Sequence, residues 1–157
     1  MFDMKTKRIA LNTLSETEKL AKILASELSS HGRIYLTGDL GSGKTTFVQF
    51  FMRSIGYLNK VTSPTFNIVK LYEVDGKNIY HIDAYRLSGV RNVFDLEDAL
   101  YSEDVIVFVE WPEMIKQFLN LDALSMTFSL ENGVHYFRAH SESENYSSIL
   151  TKIEEAF

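Results

Sequence analysis

The chain contains no cysteine, which excludes both a disulfide framework and a thiolate metal site. That fits a reducing compartment. Proline is nearly absent too: Pro64 and Pro112 are the only two in 157 residues, and no linker-like stretch divides the chain. Residues 1–157 are therefore expected to form one domain. Positive charge is scarce, with 16 Lys and Arg against 21 Asp and Glu and a net charge of −5, so the chain has no electrostatic footprint for gripping a phosphate polymer by itself. The small cluster of Lys5, Lys7 and Arg8 reads as a solvated strand edge. Long apolar runs are missing: the longest clean one, VIVFV at residues 105–109, is far too short to span a membrane. The opening residues MFDMKTKRIALNTLS lack the apolar centre of a secretory signal. A cytoplasmic protein without a membrane partner is expected.

What is present is an ample core composition, 45% hydrophobic and 13% aromatic, with alternating strand and helix signals. Ser15 and Glu18 make a capping box ahead of Leu20, Ile23, Leu24 and Leu28, whose spacing predicts a helix over 16–29. Residues 33–37 read as a buried strand and 45–55 as the helix that follows. Two hairpins are expected, 66–74 with 77–83 and 123–130 with 134–140, because Asp75-Gly76 and Asn132-Gly133 supply the positive φ that tight turns require. A strand at 105–109 and a closing helix at 146–157 complete the pattern. The expected fold is P-loop NTPase-like: three α/β/α layers around a mixed, mainly parallel sheet that includes both hairpins.

Between the strand at 33–37 and its helix stands Gly38-Asp39-Leu40-Gly41-Ser42-Gly43-Lys44-Thr45, which fits G-x-x-x-x-G-K-[ST]. Glycines there let main-chain N–H groups curl around a polyphosphate, and the helix aims its positive dipole end at the same point. Gly41, Ser42, Gly43, Lys44, Thr45 and Thr46 are the expected nucleotide-binding residues. Lys44 would reach the β and γ phosphates, and the Thr45 hydroxyl would ligate Mg2+.

Phosphoryl chemistry also needs an acid, and two stand at strand ends. Glu110 closes VIVFV, giving a Walker B pattern with glutamate; Asp83 closes IYHI and competes for the same role. With Val74 paired to Lys77, Asp83 falls opposite Ile68 and Tyr85 opposite Phe66, which folds Ser63-Pro64-Thr65-Phe66 against Asp83-Ala84-Tyr85-Arg86. Pro64 stiffens the segment bearing Thr65, a candidate switch threonine. His81 shares a face with Asp83 and is read as orienting it. Arg86 is read as a structural ion pair or as a stabiliser of transition-state charge. Trp111, the only tryptophan, lies beside Glu110, as a core anchor or as a reporter of nucleotide.

GDLGSGKTT, SPTF, HIDAYR and VEWPE, in that order, resemble the TsaE family, the ATPase component of bacterial tRNA threonylcarbamoyladenosine synthesis. The resemblance covers roughly residues 10–120, and H-x-D-x-Y-R with E-W makes it specific. It implies a protein that binds ATP with Mg2+, hydrolyses it slowly alone, and acts on a complex of TsaB and TsaD, reaching tRNA indirectly while TsaD performs the transfer. It marks Lys44 and Thr45 as nucleotide and metal residues, Thr65 as the switch threonine, Asp83 as an acidic catalytic residue and Glu110 as a metal-linked acid. The segment VRNVFDLEDAL departs from the family's Glu-Leu-Gly-Leu-Glu pattern, and residues 121–157 match only as strands. A GTPase is disfavoured, because Asn59-Lys60-Val61-Thr62 lacks the guanine-reading acid and no Asp-x-x-Gly occurs. A P-loop small-molecule kinase and a nucleotide-gated adaptor remain as alternatives.

Overall fold

Apolar alternation and turn chemistry produce, in chain order, β1 (Met4–Lys5), β2 (Ile9–Leu11), α1 (Leu14–Glu27), β3 (Gly32–Thr37), α2 (Lys44–Ser54), β4 (Val69–Val74) and β5 (Lys77–Asp83). These are followed by α3 (Phe94–Tyr101), β6 (Val105–Glu110), β7 (Leu124–Glu131), β8 (Val134–Ser141) and α4 (Ser147–Ala156). The computed structural model describes residues 1–62, 69–85 and 94–157, with backbone alone at 94–96. All eight strands join one sheet in the order β1-β8-β7-β3-β6-β5-β4, with β2 also paired to β8. The central strands β5, β6, β3 and β7 run parallel, while β4 and β8 are attached antiparallel through the two hairpins. Parallel pairing brings the carboxyl ends of four strands to one edge, where ligands of open α/β sheets bind.

Period-two alternation separates two cores. Ile34, Leu36, Ile106, Phe108, Leu124 and Met126 face one side and pack with Leu20 and Leu24 of α1, Phe47 and Phe51 of α2, and Leu150 and Ile153 of α4. Tyr35, Val105, Val107 and Val109 face the other, against Ala99 and Leu100 of α3 and Ile115 of the 3-10 segment Pro112–Phe118. Phe47 and Phe51 meet Phe108 edge-on at ring separations of 6.2 and 4.8 Å, tying the helix after the glycine loop to β6. Each such fully buried ring contributes roughly 1.5–3 kcal/mol. The loop thus rests on the larger core.

Both hairpin turns form as the sequence predicts: Asp75 and Gly76 have φ of 48° and 77°, Asn132 and Gly133 of 51° and 79°, and Val74 pairs with Lys77. The pairings of Asp83 with Ile68 and Tyr85 with Phe66 lie outside the described residues, as do Thr65 and Arg86. The first helix differs from expectation at its start. It begins at Leu14, two residues before the predicted 16, and its N-cap is Thr13, whose Oγ1 accepts from the Glu16 N–H at 3.3 Å. Thr13 and Glu16 have the same three-residue spacing as Ser15 and Glu18, two residues further on. The end of this helix moves by two residues as well, from the predicted 29 to Glu27, while the other predicted ends within the described residues agree or move by one. Among the described residues, no helix is long and apolar enough to cross a membrane.

Candidate functional site

After Thr37 the chain leaves the sheet through a turn whose Gly38, Gly41 and Gly43 have φ of 147°, 78° and 114°. At Gly38 a side chain is also sterically excluded, because a Cβ there would lie 2.4 Å from the Phe128 carbonyl oxygen and 2.6 Å from Ser42 Oγ. The Ser42 N–H donates to the Asp39 carbonyl at 3.1 Å, and α2 opens with the Phe47 N–H donating to the Gly43 carbonyl at 3.0 Å. Ser42 is buried, and among the described residues its Oγ has no partner. Lys44 is buried as well. Its ammonium donates to the Gly38 carbonyl at 2.5 Å and lies 4.1 Å from the centre of the Trp111 ring. Burial holds this ammonium below the ordinary lysine pKa, against the opposing fields of Glu110, Glu113, Asp83 and Asp39.

The two candidate acids are neighbours. Parallel pairing of β5 with β6 sets Asp83 directly across from Glu110. Their surroundings differ. Glu110 is buried and its Oε2 lies 2.6 Å from His81 Nε2, on a histidine with no exposed surface. Asp83 accepts the Tyr85 N–H at 3.0 Å through Oδ1, towards solvent. The expectation that His81 orients Asp83 is therefore corrected: its partner is Glu110, which the parallel register places on the same face one pleat further along. His81 Nδ1 is buried, and among the described residues it has no partner.

Directly after Glu110 the backbone turns through Trp111 in the left-handed region, φ 58° and ψ 51°, with its N–H donating to the Leu36 carbonyl at 3.3 Å. A bulky residue in that conformation stores roughly 1–3 kcal/mol and persists only where its surroundings hold it. Here the ring is held between the Lys44 ammonium and Tyr85, whose ring meets it edge-on at 5.1 Å.

A cavity of about 700 Å3 opens on this edge, lined by every residue from Asp39 to Thr46 together with Asp83, Tyr85, Glu110, Trp111 and His135. The structure thus brings together Gly41, Ser42, Gly43, Lys44, Thr45, Thr46, Asp83 and Glu110. Thr65 lies outside the described residues. Tyr85 belongs to H-x-D-x-Y-R, but sequence reasoning gave it no role in the site; His135 carries no motif at all, and β8 brings it here from beyond the recognisable segments. The donor set suits a polyphosphate: a loop with three glycines at positive φ and, among the described residues, a Ser42 hydroxyl without a partner and a Lys44 ammonium without an ion pair. It also suits a hard divalent ion, through the Thr45 hydroxyl and the carboxylates of Glu110 and Asp83. Among the described residues, no three acidic or histidine side chains gather closely enough to hold a metal by themselves. Mg2+ ordinarily takes one or two carboxylates and completes its shell with phosphate oxygens and water.

A glycine-rich loop joining the central strand of a parallel-cored sheet to the helix packed behind it defines a three-layer α/β protein of P-loop NTPase-like architecture. The crystal structure of Bacillus subtilis YdiB has this fold: it superposes with a TM-score of 0.77 at 24% identity, over 99% of this chain and 98% of that one. The family model for threonylcarbamoyl adenosine biosynthesis protein TsaE matches residues 11–138. Relatives named tRNA threonylcarbamoyladenosine biosynthesis protein TsaE include that of Rickettsia conorii, 34% identical over 93% of this chain and 86% of its own length. Those of Rickettsia prowazekii (33% identity, 85% of this chain, 94% of its own) and Bacillus subtilis (34%, 71% and 70%) are also similar. The chain belongs to the TsaE family.

Proposed function

We propose that the protein binds ATP with Mg2+ at this edge, hydrolyses it slowly alone, and serves tRNA threonylcarbamoyladenosine formation by acting on a TsaB–TsaD complex that carries out the transfer. One observation carries the reading: a single cavity is lined by residues 39–46 of the glycine loop, among them the buried Lys44, and by two adjacent strand-end carboxylates. Main-chain N–H groups of Gly41 and of residues 43–46, at the start of α2, receive the phosphate tail, where a helix N-terminus stabilises negative charge by up to about 2 kcal/mol in sheltered geometry. The Lys44 ammonium, held down by burial, gains the contact anion it lacks. Thr45 and Glu110 are the residues to hold Mg2+, which when bound neutralises charge on the β and γ phosphates. His81 keeps one Glu110 oxygen engaged and leaves the other for the site. Asp83, more open to solvent, is suited to orient water or an acceptor.

The test is ATP turnover measured alone and with TsaB, TsaD and tRNA, together with the yield of modified tRNA. Turnover and modification should both rise with the partners and fall about a hundredfold in Glu110→Gln. Equal modification by Glu110→Gln would instead favour a nucleotide-gated adaptor, in which binding alone matters. A phosphorylated metabolite formed without partners would favour a kinase. Saturating Mg-ADP should alter Trp111 fluorescence, and an unchanged spectrum would count against a nucleotide beside this ring.

A further inference from the structure

The hairpin of β7 and β8 has no role in the chemistry described so far, yet it reaches the glycine loop. β7 pairs with β3 only as far as Thr127 and continues to Glu131, so the end of the hairpin projects past the carboxyl edge of the central strand. There the Phe128 carbonyl closes on Gly38, and His135, paired with Leu130 on one side and Leu11 on the other, stands behind Gly43. A Cβ added to Gly43 would sit 3.7 Å from His135 Nδ1 and 3.9 Å from Phe128 Cδ1. His135 Nδ1 lies 3.0 Å from the Ser42 carbonyl oxygen. A carbonyl oxygen can only accept, so Nδ1 carries the hydrogen.

We propose that His135 is a positioning residue of the nucleotide site: by holding the Ser42 carbonyl away from the cradle, it fixes the Gly43 N–H towards the bound phosphate. The reason is peptide geometry. The unit joining Ser42 to Gly43 is planar and trans, so its C=O and N–H point in opposite directions, and anchoring one orients the other. The anchor is needed because glycine does not hold this orientation by itself. Gly43, with φ of 114°, is in a region that glycine enters readily and leaves as readily. A flipped Ser42–Gly43 peptide would turn a carbonyl oxygen towards the phosphate, replacing attraction with repulsion. His135 opposes that flip from a rigid, doubly paired strand position. The C-terminal hairpin is thereby part of the phosphate cradle, although no motif in it announces the role.

This proposal rests on reading the loop as a phosphate cradle, and the experiment separates the two. Mg-ADP affinity would be measured by calorimetry for the wild-type protein, His135→Phe, which keeps a ring without a donor, and His135→Asn, whose amide nitrogen can occupy the Nδ1 position. The expected result is wild-type binding, a loss of about tenfold in His135→Phe, and restoration of most of the affinity in His135→Asn. Undiminished affinity in His135→Phe, or no restoration in His135→Asn, overturns the proposal while leaving the nucleotide reading in place. No binding by the wild-type protein overturns both. A measurement on the wild-type protein covers the case in which a variant fails to fold: nitrogen NMR should find His135 in the tautomer protonated at Nδ1, and the Gly43 amide should shift strongly on addition of Mg-ADP. The opposite tautomer, or an unmoved Gly43 amide in the presence of bound nucleotide, overturns the proposal.

Discussion

Arg33 and Lys44 are both buried, one at the amino end of β3 and the other just past its carboxyl end, and they are treated very differently. Arg33 is surrounded by partners. Its Nε donates to the Leu100 carbonyl at 2.5 Å, one terminal nitrogen donates to the Asp122 carbonyl at 3.4 Å, and the Asp122 carboxylate lies 3.6 Å away. Even its main-chain N–H donates to the Tyr146 hydroxyl at 2.9 Å. Asp122 in turn accepts from the Ser143 hydroxyl at 2.6 Å and the Asn145 amide at 3.0 Å. Lys44 rests on one carbonyl and one aromatic face, and its acidic neighbours act through their fields. The amino end is thus saturated with internal bonds that join β3, α3, the loop before β7 and the start of α4. Among the described residues, the carboxyl end has a cation with one carbonyl partner, a Ser42 hydroxyl without a partner and a strained Trp111, polar capacity that a ligand can use.

Opposite outcomes from removing the two cations would sharpen this contrast. The largest effect is expected from Arg33→Met, which leaves buried carbonyls and Asp122 without their donor; breaking such a group costs about 3–5 kcal/mol. In thermal denaturation the midpoint should fall by roughly 10 °C. Nucleotide affinity of the folded fraction should be unchanged. Lys44→Met should do the reverse. Losing a charged hydrogen bond to phosphate should weaken Mg-ATP binding about 10- to 100-fold in a titration, with the melting temperature of the free protein held or raised. A large loss of stability in Lys44→Met would break the comparison.

The pH dependence supplies the smaller effects, at opposite ends of the scale. Lys44 has a lowered pKa in the folded chain, so between that value and the ordinary lysine value near 10.4 the unfolded chain binds more protons. Stability attributable to this group should therefore rise with pH across that window, and Lys44→Met should lack the rise. Asp122 behaves oppositely. Burial pushes its carboxyl up, but the Ser143 hydroxyl, the Asn145 amide and Arg33 outweigh it and hold the pKa below the ordinary value. Its contribution is present above the unfolded carboxylate pKa of about 3.9 and is lost as pH falls through the folded value. Denaturant titrations at pH 5 and pH 3 should show a shallower acid loss in Asp122→Asn than in the wild-type protein.

The glycine-rich loop was legible in the sequence because its requirements are local. Three glycines take positive φ within a few bonds of one another, and a lysine and threonine follow at the first turn of a helix. The turns at Asp75-Gly76 and Asn132-Gly133 were legible for the same reason. Asp83 and Glu110 were legible as separate strand ends. Their adjacency depended on β5 pairing parallel to β6, which residue spacing does not specify. The partner of His81 could not be read from its own strand, because Glu110 arrives from β6 across that pairing. His135 was invisible as a lining residue of the cavity: nothing in Val134–Ser141 distinguishes it from any polar residue in an antiparallel strand.

The order of its residues alone determined that this chain folds as alternating strands and helices with a backbone cradle after its central strand, since backbone conformation and apolar period act over a few residues. Only the tertiary structure decided which acid is buried against which histidine, which cation rests on a single carbonyl, and which distant hairpin packs on the glycine loop. Those outcomes depend on strand order and register, and these are set by long-range packing of the sheet between its two cores.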